Sequence, residues 1–143
     1  MRLLLDTSFL LELRKGNEEA EKSLREESKD ASDIGISVLT LYELLGGSHY
    51  VWMRRKDPRE RIWLDNLLKW LTIYELREEV VRRAAEAKAE AMLEGMGLPD
   101  MDLLIALTVD GPAKLLTCDE DHKAMAYLLK KRDIQVVYIT PKR

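Results

Sequence analysis

Short apolar runs alternate along the chain with longer segments in which apolar residues recur at helical spacing. The short runs cover residues 3–5, 34–38, 114–117 and 135–139, and they predict buried strands. The longer segments predict helices over residues 10–27, 39–55, 59–71, 77–94, 102–109 and 122–132. Because strands that alternate with helices form a parallel sheet with helices on both faces, the pattern predicts an α/β fold.

The length and composition are typical of one domain, which we expect to span residues 1–143. Charged residues make up 34% of the chain, yet the net charge of -3 argues against a general nucleic-acid coat protein. Cys118 is the only cysteine, which excludes an intramolecular disulfide and a multi-cysteine zinc site. No stretch has the apolar length of a signal peptide or a membrane span, so we expect a soluble, cytoplasmic protein.

A group of basic residues surrounds the break between the second and third predicted helices. This group, called the basic arm below, comprises Arg54, Arg55, Lys56, Arg59 and Arg61. Such a cluster can contact phosphates even in a protein that is acidic overall. The ordinary interpretation is a solvated helix face, and contact with RNA is the second interpretation.

Acidic residues recur where the predicted strands end and the following helices begin. Asp6 closes the first strand, and Glu43 lies one turn into the helix that follows the second strand. Four further acids lie at similar places later in the chain, namely Asp100, Asp102, Asp119 and Asp121. In open parallel sheets these places gather at one edge, so we expect four or five carboxylates to converge there.

Converging carboxylates repel one another, and such a cluster needs protons or cations to neutralise it. Oxygen ligands of this kind select Mg²⁺ or Mn²⁺, and one or two such ions can activate water for attack on a phosphodiester. The simpler interpretation of each aspartate is a helix cap. For Glu43, which lies among apolar residues, the alternative is exposure on a narrow polar stripe.

Four segments resemble, in order, the signatures of PIN domains, especially those of VapC-type toxins. They are residues 3–8 (LLLDTS), 40–44 (TLYEL), 102–106 (DLLIA) and 116–119 (LTCD). The resemblance implies a PIN-like, three-layer α/β/α sandwich around a mainly parallel sheet. It also implies a Mg²⁺- or Mn²⁺-dependent endoribonuclease that acts on RNA, forms a homodimer and is inhibited by a small antitoxin protein, as in VapBC-type toxin-antitoxin pairs.

The resemblance assigns the metal site to specific acids of this chain, which are Asp6, Glu43 and Asp102, with Asp119 as the fourth. Ser8 and Thr117 would be polar neighbours of the metal-bound water. Asp100 and Asp121 are further candidates, because each lies two residues from a matched aspartate. His122 stands where an aromatic residue often follows in this family.

Two other enzyme classes also have an acidic residue directly after their first strand, and this sequence lacks the further acids that each class requires. Phosphatases of the haloacid dehalogenase type need a second aspartate where Ser8 stands, and receiver domains need acidic neighbours that Asp6 lacks. The non-enzymatic alternative is a catalytically inactive PIN-fold protein that serves as an RNA- or protein-interaction module. Against it, four like charges at one edge would cost stability without catalytic use.

Overall fold

A single five-stranded sheet forms the centre of the protein in the computed structural model, which describes residues 1–143. The strands are β1 (Arg2–Leu5), β2 (Asp33–Ser37), β3 (Thr72–Tyr74), β4 (Ala113–Thr117) and β5 (Ile134–Tyr138). All four pairings are parallel, and the strand order is β3-β2-β1-β4-β5. The predicted α/β sandwich with a mainly parallel sheet is confirmed.

Eight helices connect and flank the strands. They are α1 (Thr7–Arg14), α2 (Glu18–Ser28), α3 (Val38–Arg55), α4 (Arg59–Leu68), α5 (Glu78–Leu93), α6 (Asp100–Ala106), α7 (Glu120–Ala124) and α8 (Ala126–Lys130). None of them combines the length and apolarity needed to cross a membrane.

Two hydrophobic cores cover the two faces of the sheet, and β1 contributes to both. Leu4 belongs to the core with α5, α6 and α8, whereas Leu3 and Leu5 belong to the core with α1, α3 and α4. This division follows from the alternation of side chains along a strand. Each fully buried leucine stabilises the fold by about 1.5–3 kcal/mol. Burial on both faces therefore holds the end of β1 firmly in the middle of the molecule.

The strand register places several strand ends at the same level of one edge. Leu5 pairs with Leu116 of β4, and the backbone N–H of Asp6 donates to the Leu116 carbonyl at 3.3 Å. Leu4 pairs with Gly35, so the end of β2 at Ser37 lies at the same edge. Residues that follow β1, β2 and β4 consequently meet at the carboxyl edge of the sheet.

Two predicted helices were wrong in detail, and one strand was not predicted. The first predicted helix is two helices, because Gly16 adopts a left-handed φ of 80° and Asn17 caps α2 with its side chain. Strand β3 was missed altogether, since two exposed residues and one partly buried residue carry no clear periodicity. The last helix begins at Glu120 rather than His122 and breaks at Met125.

Candidate metal centre

Asp6 lies at the end of β1, caps α1 and is only 2% exposed. Its Oδ1 accepts hydrogen bonds from the Ser8 hydroxyl at 2.7 Å and from the Phe9 backbone N–H at 2.8 Å. Its Oδ2 accepts from the Thr117 hydroxyl and lies 2.7 Å from Nδ1 of His122. A carboxylate has about four acceptor positions, and these contacts use all of them. The orientation of Asp6 is therefore fixed by its own surroundings.

Ser8 and Thr117 connect the ends of β1 and β4 beneath the acids. The Ser8 hydroxyl accepts from the backbone N–H of Cys118 at 2.9 Å and lies 3.3 Å from the Thr117 hydroxyl. The Thr117 hydroxyl in turn accepts from the backbone N–H of Asp119 at 3.0 Å. Ser8 reaches the surface of the pocket described below, whereas Thr117 is fully buried behind it.

Glu43 lies on α3, near the start of that helix, and its side chain is exposed toward the same edge. The Thr7 hydroxyl donates to Oε1 of Glu43 at 2.5 Å. Because Thr7 directly follows Asp6, this bond fixes the glutamate beside the end of β1. Glu43 is thus exposed, as in the polar-stripe interpretation, and it also faces the other acids.

Asp102 and Asp119 bring the third and fourth segments to the site. Asp102 lies in the first turn of α6, and Asp119 caps α7 by accepting from the Asp121 backbone N–H at 2.8 Å. One ligand atom each of Asp102, Asp119 and His122 lie within 4.8 Å of one another. Burial, followed by the charges of Asp119, Asp121 and Asp6, raises the pKa of Asp102 to about 6, although His122 opposes the shift.

An open pocket of about 250 Å³ unites these side chains. Its lining includes Asp6, Thr7, Ser8, Glu43, Asp102, Asp119 and His122. Asp100 lies outside it, with a side chain 79% exposed and paired to Lys88 at 3.0 Å. Asp121 is exposed beside the pocket and does not line it. A larger cavity of about 410 Å³ lies at the amino ends of β4 and β5 and is lined mostly by apolar residues.

Comparison with known protein families identifies the domain. The family model of the PIN domain matches residues 3–128. The chain belongs to the PIN-domain family. No curated protein has a significantly similar sequence.

Several solved structures share the fold of this PIN domain at low sequence identity. VapBC2 from Rickettsia felis, bound to a promoter DNA fragment, matches with a TM-score of 0.75 and 22% identity over 96% of this chain and 98% of that chain. VapBC-1 from nontypeable Haemophilus influenzae matches with a TM-score of 0.71 and 19% identity over the same shares. DNA-bound VapBC from Salmonella typhimurium matches with a TM-score of 0.71 and 15% identity over 96% of this chain and 98% of that chain. Identities this low establish the shared fold alone.

His122 is the functional candidate that sequence reasoning missed in this PIN domain. It is 1% exposed, and its Nε2 lies 2.8 Å from the backbone carbonyl oxygen of Asp102. Since a carbonyl only accepts, Nε2 must carry a hydrogen. Burial lowers the pKa of His122, but the hydrogen bond and charge of Asp6 outweigh it, so the pKa is raised above its usual value. Both ring nitrogens of His122 therefore face protein oxygens in the structure.

The remaining donors of the PIN-domain pocket fit a divalent cation. They are carboxylate oxygens, which Mg²⁺ and Mn²⁺ prefer. Burial is the main cause of the raised pKa of Asp102, and the charges of Asp119, Asp121 and Asp6 add to it through repulsion between carboxylates. An added cation would relieve that repulsion.

The basic arm lies at the far end of α3, and several of its charges already have partners. Arg59 forms a forked ion pair with Asp57, with its closest contact at 2.7 Å. The guanidinium of Arg61 and the ammonium of Lys56 lie 4.6 and 5.4 Å from the ring centroid of Trp52. Arg54 is 11 residues from Glu43, about 16 Å along the helix axis. The arm is therefore a separate surface and not part of the acidic pocket.

Proposed function

We propose that this PIN domain is a metal-dependent endoribonuclease that hydrolyses RNA phosphodiester bonds with Mg²⁺ or Mn²⁺. One observation supports the proposal most strongly: carboxylates from four separate segments line one open pocket. In our proposal the ion is held by Asp6, Glu43, Asp102 and Asp119. Ser8 would contact its water shell, and Thr117 would orient Asp6 from behind.

Each side chain has a distinct task in this proposal. A bound divalent cation would supply charge stabilisation for the phosphate and a water of lowered pKa. Asp102 and Asp119 would hold the ion, and Thr7 keeps Glu43 beside the end of β1. Asp6 would supply a further oxygen to the ion in place of one of its present hydrogen bonds. Oδ2 of Asp119 accepts no hydrogen bond in the structure, and it is the acceptor that we propose for the proton of the attacking water.

The test compares two aspartates of the same helix turn. Cleavage of labelled RNA would be measured with Mg²⁺ or Mn²⁺ for the wild type, Asp102→Asn and Asp100→Asn. We expect Asp102→Asn to lower the rate by more than about 100-fold, the upper end for residues that merely support a ligand. Asp100→Asn, outside the pocket, should cleave like the wild type. Cleavage that survives both EDTA and Asp102→Asn would reject the proposed site.

We further propose that the chain is a VapC-type toxin, with a homodimer as its assembly, a small antitoxin as its partner and the cytoplasm as its location. The support is the likeness in fold to several VapBC structures. Expression alone should arrest growth, and co-expression with the product of an adjacent short reading frame should restore it. Light scattering would measure the assembly. Restoration failing with every adjacent frame would count against the toxin proposal.

One observation favours the second candidate, a catalytically inactive interaction module. All acceptor positions of Asp6 are occupied by protein donors, as in an acid with a purely structural task. The module predicts that Mn²⁺ does not bind and that no RNA is cut. The same cleavage experiment, combined with calorimetric titration of Mn²⁺, separates the two candidates.

A further inference from the structure

The imidazole of His122 bridges two acid-bearing segments that are distant in the sequence. Nδ1 lies 2.7 Å from Oδ2 of Asp6, at the end of β1. Nε2 lies 2.8 Å from the backbone carbonyl oxygen of Asp102, in the first turn of α6. A third contact, 3.2 Å from Nδ1 to the Thr117 hydroxyl, adds the end of β4. One ring thus touches three of the segments from which the pocket is built.

We propose that His122 is a positioning residue that holds Asp6 and the first turn of α6 at the spacing needed for cation binding. This inference rests on the proposed function, because it assigns a task toward the same cation. His122 itself would not bind the ion, since both ring nitrogens face protein oxygens. Its action is through the carboxylate of Asp6 and through the backbone that carries Asp102.

This role depends on the hydrogen bonds of the two ring nitrogens, and a ring of the same volume without them would not perform it. A phenyl ring fills similar space. Phenylalanine has no donor, however, so Oδ2 of Asp6 would lose one of its two partners and the Asp102 carbonyl would lose its side-chain donor. Leaving a buried acceptor without its partner costs free energy, which favours a rearrangement that restores a partner. We therefore expect the two acids to lose their fixed spacing in His122→Phe.

The experiment compares His122→Phe with His49→Phe by calorimetric titration of the metal-free protein with Mn²⁺. His49 is exposed on α3 and its side chain makes no hydrogen bond in the structure, so its variant is the matched control. We expect His122→Phe to weaken Mn²⁺ binding by about 10- to 100-fold, the usual effect of removing a residue that orients a ligand. His49→Phe should bind like the wild type. Unchanged or tighter binding by a folded His122→Phe would overturn the proposal.

Two further measurements separate positioning from a general packing defect. Urea unfolding checks that His122→Phe is folded under the titration conditions. His122→Gln, whose amide still has a donor for one of the two oxygens, should recover part of the lost affinity. A glutamine variant as weak as the phenylalanine variant would contradict a hydrogen-bonding role.

A metal-free measurement makes failure of this inference distinguishable from failure of the proposed function. The carboxyl ¹³C resonance of Asp6 reports directly on its hydrogen bonds. It should move in His122→Phe and stay in place in His49→Phe. If the wild type binds no Mn²⁺, the proposed function fails. The resonance still shows whether His122 is hydrogen-bonded to the carboxylate of Asp6. An unmoved resonance would overturn the positioning role whatever the metal does.

Discussion

At the scale of single residues, Asp102 has the most perturbed carboxyl group of the pocket. Burial is the largest cause, and the neighbouring charges of Asp119, Asp121 and Asp6 add to it. Because the pKa of Asp102 is about 6 in the folded metal-free protein and 3.8 ordinarily, the folded protein binds this proton more tightly than the unfolded chain does. This group therefore lowers the stability of the metal-free protein as the pH rises from about 4 to 6.

Cation binding should show the opposite dependence on pH, since a ligand carboxyl must be ionised. About one tenth of a group with a pKa of about 6 is ionised at pH 5. We expect Mn²⁺ to bind roughly tenfold more weakly at pH 5 than at pH 7. Calorimetric titrations at both pH values would measure the ratio. Asp100→Asn should keep this ratio, and an affinity that does not vary with pH would contradict a role for Asp102.

Sequence reasoning located the acids at this scale but not their partners. Each of four acids lies close to the end of a strand or the start of a helix, and such places share one edge of the sheet. These acids, which line the pocket, are Asp6, Glu43, Asp102 and Asp119. The contacts of His122 depend on distances between residues 6, 102 and 122, which no local pattern encodes. The exposure of Asp100 likewise depends on which side of α6 faces the sheet.

At the scale of elements, Glu12 joins α1 to the segment after β5. It is 5% exposed, and its Oε1 accepts from the backbone N–H of Lys142 at 2.6 Å and from the Asn17 amide at 3.0 Å. The Asn17 amide also donates to the Thr140 carbonyl at 3.1 Å. Burial alone would raise the pKa of Glu12. The hydrogen bonds from Lys142, Asn17 and Lys15, with the charge of Lys15, outweigh burial and lower the pKa to about 2.

A depressed pKa means that Glu12 stabilises the fold above about pH 4.5 and that this contribution is lost as the pH falls toward 2. We expect Glu12→Gln to lower the free energy of unfolding by about 1–3 kcal/mol at neutral pH, the usual loss for charged hydrogen bonds. The difference from the wild type should shrink below pH 4.5. Urea unfolding at several pH values tests this, with Glu19→Gln, exposed on α2, as the control. Equal losses for both variants would contradict the argument.

The elements themselves were predictable where burial gives a long, regular pattern. Strands β1 and β4 and helices α3 and α5 follow from apolar spacing, since each faces a core. The errors occur where local backbone chemistry decides. Gly16 and Asn17 end one helix and start another within a continuous apolar period, and β3 takes its strand conformation from pairing with β2.

At the scale of the whole molecule, the strand order explains the position of the pocket. The chain builds outward from β1 through β2 to β3, and then crosses to the other side of β1 to add β4 and β5. At such a reversal the connections leave a crevice at the carboxyl ends of the two strands on either side of it, which here are β1 and β4. Asp6 and Asp119 follow those two strands. The alternation of elements predicts a parallel sheet but not this order, which depends on how the helices pack.

Since the pocket joins four segments of the fold, cation binding should stabilise the whole molecule. A ligand at about 100 times its dissociation constant adds about 2.7 kcal/mol to the free energy of unfolding when the unfolded chain does not bind it. We expect Mn²⁺ at that concentration to raise the urea midpoint of the wild type, and EDTA to reverse the change. Asp102→Asn should lose most of the gain, whereas Asp100→Asn should keep it. A gain of equal size in both variants would place the bound ion elsewhere, because Asp102 lines the pocket and Asp100 does not.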